Sequence, residues 1–440
     1  VIFNSLEFVG FLLGVLVLYY LPWLRRFQTP TLILASFYFY AAQNPKLLGL
    51  LSGSILVNAL LSWQIARGQR WLLSLGVVLN LALLGVFKYG SLLGGPDWLT
   101  RLPLPIGISF FTFEAIVILF DSAREPEGLG RRLSRVGLLM SFFPHLVSGP
   151  ILKAQEFFPQ VGPKSLRDMD PQLAFRSLTV GYFLKMVVAD NLQEQNTMMD
   201  HFQGLPSVQL LAMLFAYSMQ IFADFAGYSL IAIGLGALLG YRLPDNFRFP
   251  YLAASFSEFW QRWHITLSGF LRNYLYIPLG GNRHGPFRTH FNLLLVMGLG
   301  GLWHGAAWRY AVWGLMHGLA LVAERLLARV LPALHGRGWR FVRRAGVFTY
   351  VSLAWSLFRL KDFEQVKLYA LAMGQNLHRP IEPRPLLAVA LFSLPVVLYH
   401  LSHLYYPAWL QRREHWLYAL MLFLILTQSG PPGTFIYFQF

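Results

Sequence analysis

Apolar stretches of about 17 to 25 residues, long enough to cross a bilayer as helices, recur from one end of the sequence to the other. They centre near residues 8–22, 30–43, 48–66, 71–93, 103–121, 172–189, 207–226, 290–308, 309–329, 344–360, 386–404 and 415–429. Hydrophobic residues make up 55% of the 440 and charged residues only 13%. A soluble domain carries roughly 25% charge, so this chain cannot dress a water-facing surface. The expected fold class is an all-α polytopic integral membrane protein. Several stretches are short or broken by Gly and Pro, and broken backbone survives at membrane depth only inside protein or along a wet cavity. Half-helices around a central cavity are therefore expected.

The 36 basic against 20 acidic residues give a formal charge of +16. The arginines are scattered between apolar stretches and form no aromatic-interleaved basic groove, which argues against nucleic acid. Cytoplasmic flanks of membrane helices explain them better. Arg25 and Arg26, then Arg67 and Arg70, then Arg124, Arg131, Arg132 and Arg135 follow the first, third and fifth stretches, whereas the intervening connectors carry only Lys46 or Arg101. That alternation places the N-terminus outside. The connector 190–209 has Asp190, Glu194 and Asp200 without Lys or Arg and fits an external loop. The connector 241–290 holds Arg242, Arg248, Arg262, Arg272, Arg283 and Arg288 and should face the cytoplasm. Arg412 and Arg413 before the last stretch put the C-terminal tail outside. The first stretch lacks a basic leader and a small-residue cleavage site, so it reads as a retained helix. With no repeat, low-complexity tract or soluble linker, residues 1–440 read as one membrane domain. Only Lys164 to Asp170 and Glu364 to Lys367 resemble ordinary polar surface.

The absence of cysteine excludes disulfides, thiolate metal sites and a cysteine nucleophile. Ionisable groups within spans are functional candidates because they are costly unless paired or solvated. Of twelve histidines, His201, His284, His335, His378 and His415 lie in polar connectors or beside charges. His317 lies mid-stretch between Gly314 and Gly318, where a second backbone or a ligand could approach the imidazole. A histidine joining two helices by a hydrogen bond is the competing reading. For His304, after Trp303 and among Gly300, Gly301 and Gly305, tight helix packing is preferred. His264 closes the run Phe259-Trp260-Gln261-Arg262-Trp263, too polar to span and too aromatic for a free loop, and reads as part of a re-entrant element lining the cavity.

Five blocks in order carry a resemblance: Phe143 to Leu152, Gln220 to Ser229, Phe259 to Gly281 with its Arg-Asn-Tyr-Leu-Tyr-Ile-Pro-Leu-Gly-Gly, Trp303-His304-Gly305 and His317-Gly318. The chain resembles the membrane-bound O-acyltransferases (MBOAT), within them the bacterial alginate O-acetylation type. The resemblance implies about 11 to 13 membrane helices, short or re-entrant ones included, around a tunnel. It further implies a thioester donor, acetyl-CoA, entering from the cytoplasm, with no permanently bound cofactor and no metal. Residues 205–330 would form the catalytic half, with catalysis at His317 and His264. Arg262, Arg272, Trp263 and Asn273 would bind the donor, and His304, Trp303 and Asp224 would line the tunnel. Ala223 and Ala226 beside Asp224 depart from the family pattern.

The tail, residues 434–440, reads Phe435-Ile436-Tyr437-Phe438-Gln439-Phe440 after Gly430-Pro431-Pro432-Gly433. By composition it is an aromatic interfacial belt. It also resembles an F-x-Y-x-x-F ending in which the tyrosine accepts an acyl group, and the Gly and Pro residues allow it to turn back. Thioesters occur only on the cytoplasmic side, so acyl groups must cross without losing transfer potential. A phenol, ionising at about 10, gives a reactive aryl ester. His317 would act as general base on Tyr437, and His264 would orient the thioester or stabilise the oxyanion. The expected function is acetyl transfer across the bacterial inner membrane to a periplasmic serine-esterase-like partner that O-acetylates an exported, alginate-like polysaccharide. D-alanyl transfer from a carrier protein and peptidoglycan O-acetylation are alternatives within the fold. A proton-coupled transporter or flippase is an alternative class, but it lacks paired repeats of broken segments and has no use for Tyr437.

Overall fold

Intramembrane backbone must satisfy its own hydrogen bonds, and among the described residues of the computed structural model every regular element is helical. The structure describes residues 3–42, 44–90, 92, 94–96, 103–122, 126–147, 149–330, 336–405, 408, 412–433, 435 and 436. The principal helices are α1 Leu6–Tyr20, α2 Gln28–Ala41, α3 Pro45–Ala66, α4 Trp71–Tyr89, α5 Ile108–Asp121, α6 Leu129–Ser141, α7 Pro171–Tyr182, α8 Asp190–Asn196, α9 Ser207–Leu238, α10 Phe256–Arg262, α11 Ile265–Phe270, α12 Gly285–His304, α13 Trp308–Val330, α14 Arg337–Ala354, α15 Phe363–Gln375, α16 Pro383–Tyr405 and α17 Glu414–Thr427. Among them α3, α4, α9, α13 and α16 are each long and apolar enough to span, as is the bent pair Leu6–Tyr20 with Pro22–Ala41 taken together. The protein is a multi-pass membrane protein.

The chain divides into two compact units, residues 1–178 with 229–245, and residues 179–228 with 246–440. In the first, α3 packs against α6 and α4 against α5. The side-chain amides of Asn58 and Asn80 exchange hydrogen bonds at 2.7 and 3.2 Å, joining α3 to α4 where water is scarce. The block beginning at Phe143 follows α6. Within it His145 Nδ1 lies 3.1 Å from Glu114 Oε1, and Nε2 lies 3.0 Å from the Leu139 carbonyl, so both ring nitrogens are engaged in holding the turn.

Several expected spans shift for physical reasons. The first two meet at a 98° bend, because Pro22 starts a separate turn; at ~1.5 Å per residue the 15-residue first arm is too short to cross a bilayer by itself. The stretch 103–121 becomes the 14-residue α5. Nearly all of its side chains are buried, so its apolarity reflects the protein interior. The basic connector after it folds as amphipathic α6, where Arg132 is buried on Glu127 at 2.8 Å. A connector charge there is therefore also a core strut.

Helix α7 continues through a π-helical segment, Phe183–Ala189, into α8. Helices α16 and α17 both pack on that segment. Helices α12 and α13 pack backbone to backbone. A Cβ at Gly314 would collide with the Met297 carbonyl, and one at Gly301 with the Tyr310 carbonyl. The glycines around His317 therefore admit the neighbouring backbone.

Candidate functional site

A short helix must stop where its backbone leaves the α region, and α10 and α11 are separated at Trp263 and His264. His264 takes φ 42° and ψ 57°, a left-handed conformation that costs a non-glycine residue about 1–3 kcal/mol. The break turns the imidazole into the protein, where it is fully buried. Nδ1 lies 3.0 Å from Asn246 Oδ1. The same oxygen accepts from the Thr266 amide at 3.4 Å and the Thr266 hydroxyl at 3.0 Å. A backbone N–H can only donate, so this oxygen is the acceptor and His264 Nδ1 carries the proton. Nε2 then holds a lone pair and has no hydrogen-bond partner among the described residues.

His317 sits mid-way along α13 and is also fully buried. Neither ring nitrogen has a hydrogen-bond partner among the described residues. The bond between helices that would make it a purely structural histidine is therefore missing. Aromatic rings wall it: Trp313 at 4.7 Å, Trp260 at 5.1 Å, Tyr350 at 5.9 Å and Phe259 at 6.1 Å between centroids. Burying two unsatisfied polar nitrogens is expensive, and such groups mark places where a ligand completes the bonding.

The two imidazoles belong to one aromatic network. Trp303 lies 6.1 Å from the His264 ring and 4.9 Å from His304, His304 lies 5.4 Å from Trp313, and Trp313 touches His317. A second route runs from Phe259 through Trp263 at 5.6 Å and Phe247 at 5.1 Å to His264. His304 packs among Trp303, Trp313 and Phe358. Gly305 beneath it seats the Tyr310 ring, in keeping with tight packing.

The expected donor-binding residues separate. Trp263 is buried in the aromatic network, against Trp355 at 5.3 Å. The Arg262 guanidinium lies 2.7 Å from Glu258. Arg272 and Asn273 are exposed and hydrogen-bonded to each other at 3.2 Å. Asp224 lies in a buried cluster with Lys185, 2.9 Å away, and accepts from the Ile436 amide at 2.7 Å. Tyr437 lies outside the described residues.

Three groups near the site escaped the sequence reading. Lys185, within the stretch 172–189, and His400, within 386–404, carry the signal used for His317: an ionisable group inside a span. His400 Nδ1 donates to the Val396 carbonyl at 2.8 Å, and its ring lies 4.9 Å from Phe222. Asn246 carries no such signal, since only the fold brings it to His264. No group of three or more His, Cys, Asp or Glu able to hold a metal occurs among the described residues.

The model of the membrane-bound O-acyltransferase family matches residues 109–361. A probable alginate O-acetylase, AlgI, of Pseudomonas putida is 38% identical over 387 residues, 82% of this chain and 78% of that protein. The peptidoglycan O-acetyltransferase of Helicobacter pylori is 36% identical over 374 residues, 76% of this chain and 71% of that protein. The teichoic acid D-alanyltransferase of Bacillus subtilis is 27% identical over 237 residues, 49% of this chain and 58% of that protein.

Proposed function

Because this chain belongs to the membrane-bound O-acyltransferase family and is a multi-pass O-acyltransferase, we propose that it passes acetyl groups from cytoplasmic acetyl-CoA through the inner membrane to an exported polysaccharide. The observation that carries the site assignment is the His317 imidazole, fully buried with both nitrogens unbonded among the described residues. In its neutral form one nitrogen takes the proton of the attacking hydroxyl, which we assign to Tyr437. The phenolic oxygen bonds to the thioester carbonyl carbon, the carbon–sulfur bond breaks, and the proton held on His317 passes to the departing thiolate. An aryl acetate and coenzyme A result. A periplasmic serine-esterase-like partner then takes the acetyl group from Tyr437 to a sugar hydroxyl of an alginate-like polymer.

With Nδ1 donating to Asn246, the neutral His264 offers a lone pair at Nε2 and no second proton. That favours orienting the donor, by accepting from an amide N–H of the pantetheine arm, over donation to an oxyanion. The exposed guanidinium of Arg272, with Asn273, offers bidentate hydrogen bonds to coenzyme A phosphates. Arg262 contributes less, since Glu258 already balances its charge. An acetyl donor is favoured over a D-alanyl carrier because the acetyl-transferring relatives match more of the chain at higher identity. A peptidoglycan glycan is the second reading of the acceptor, on the strength of the H. pylori relative.

Purified protein incubated with radiolabelled acetyl-CoA and digested should carry label on the peptide containing Tyr437. His317→Ala should reduce labelling about 10²- to 10⁴-fold, the usual span of a general base, and Tyr437→Phe should abolish it. Label that persists in His317→Ala overturns the base assignment, and label on any other peptide overturns the acceptor.

A further inference from the structure

The cluster around Lys185 is a buried charged group that the transfer chemistry leaves unused, and it is completed by backbone from far along the chain. The Lys185 ammonium lies 2.7 Å from Asp190 Oδ1, 2.9 Å from Asp224 Oδ1 and 3.2 Å from the Gly433 carbonyl. Those three acceptors use its three protons. Asp224 Oδ2 takes the Ile436 amide proton. The segment is tied at its near end as well: Gly430 donates to the Met186 carbonyl at 2.9 Å, and the Asn191 amide donates to the Gln428 carbonyl at 2.9 Å. A Cβ at Gly430 would stand 2.7 Å from the Asn191 nitrogen, so only glycine fits that approach.

Phe435 and Ile436 are buried. The Phe435 ring lies 4.3 Å from Tyr228 and 6.0 Å from Phe225, whose ring in turn stands 4.6 Å from His264. The segment thus reaches the neighbourhood of the site, and the next residue in the sequence is Tyr437. Without it the ammonium would lose an acceptor and Asp224 a donor in a place water does not reach, which buried charges tolerate poorly.

We propose that Lys185, Asp190 and Asp224 form an ionic clamp that seats Gly430, Gly433, Phe435 and Ile436, and that acyl acceptance depends on this seating; they are positioning residues, and the role of the seated segment rests on the reading of Tyr437 given above. The chain's lack of cysteine permits a direct test. Phe435→Cys supplies a single buried thiol whose maleimide labelling reports seating without any acyl transfer. Lys185→Met or Asp224→Asn in that background should raise the labelling rate about ten-fold or more, as a local opening would. A thiol placed instead at buried Val351 should stay protected. In the cysteine-free parent, the same two substitutions should lower acetyl-Tyr437 yield with KM for acetyl-CoA unchanged. Should the core variants fail to fold, Ile436→Pro removes the donor from the segment alone and should expose the thiol at position 435 equally. Labelling at 435 that stays at the parental rate in folded variants overturns the clamp, as does equal exposure of position 351. An unlabelled Tyr437, with the thiol at position 435 protected and that protection clamp-dependent, would instead overturn the acceptor assignment while leaving the clamp standing.

Discussion

Asn246 fixes which ring nitrogen of His264 carries the proton, and in the reading proposed above it bears on the donor through that ring. Asn246→Ala should lower kcat/KM for acetyl-CoA roughly ten-fold, the low end of what losing a histidine's orienting partner does, because the ring it orients is the one assigned to hold the donor; steady-state kinetics in detergent decide it. Among the basic residues, Arg272→Ala should raise the apparent KM for acetyl-CoA several-fold and Arg262→Ala distinctly less, because Glu258 already balances the Arg262 charge. Equal effects would remove the distinction between an exposed and a paired guanidinium. His317 and His264 were legible because an imidazole in an apolar or aromatic run is conspicuous. The same criterion, an ionisable group inside an apolar run, points equally to Lys185 and His400. Asn246 was out of reach, since an asparagine in a polar connector looks the same whether or not a chain reversal carries it 3.0 Å from a histidine.

The contact of α12 with α13 makes a sharp prediction at the level of the helix. Gly314→Ala must displace the Met297 carbonyl, and overpacking of this kind costs about 1–3 kcal/mol. Gly338→Ala on α14 meets nothing within 4 Å and should be neutral or slightly stabilising. Thermal unfolding in one detergent compares the two. The turn 197–204 carries Asp200, whose Oδ1 accepts from Arg359 at 2.9 Å. That hydrogen bond, helped by the neighbouring positive charge and opposed by partial burial, holds the carboxyl below its ordinary 3.8. The sign follows: a carboxylate held low in the folded state stabilises fully above 3.8 and loses that contribution as pH falls through the lower folded value. The side chain is well exposed and screened, so Asp200→Asn should cost at most about 1 kcal/mol at pH 7, with the difference closing in acid. Helix positions were readable because length and hydropathy set them. The bend after Tyr20 and the amphipathic α6 were not, since a span-length criterion ignores both a proline turn and a short helix whose arginine is paired inside.

Over the whole molecule, the multi-pass helical fold followed from composition alone, while the course of single spans needed coordinates. The stretch 207–226 extends to Leu238, giving a 32-residue helix. At ~1.5 Å per residue it exceeds the ~30 Å hydrocarbon core, so it must tilt or project. The residues past 226 stay apolar and give the helix no reason to stop, so the length of a single crossing does not bound it. The cysteine-free background also tests sidedness. A thiol at exposed His201 should react with an impermeant maleimide in intact cells, and one at exposed Arg283 only after permeabilisation; the reverse pattern would invert the orientation drawn from the arginines. Among the described residues only Phe249 and His264 are non-glycines with positive φ, and both fall in the connector that supplies His264, one of the two imidazoles of the candidate site. A library selected purely for thermal tolerance should therefore accumulate replacements in this short stretch, and those same winners should be the dead enzymes: here fitness as a catalyst and fitness as a folded object pull in opposite directions.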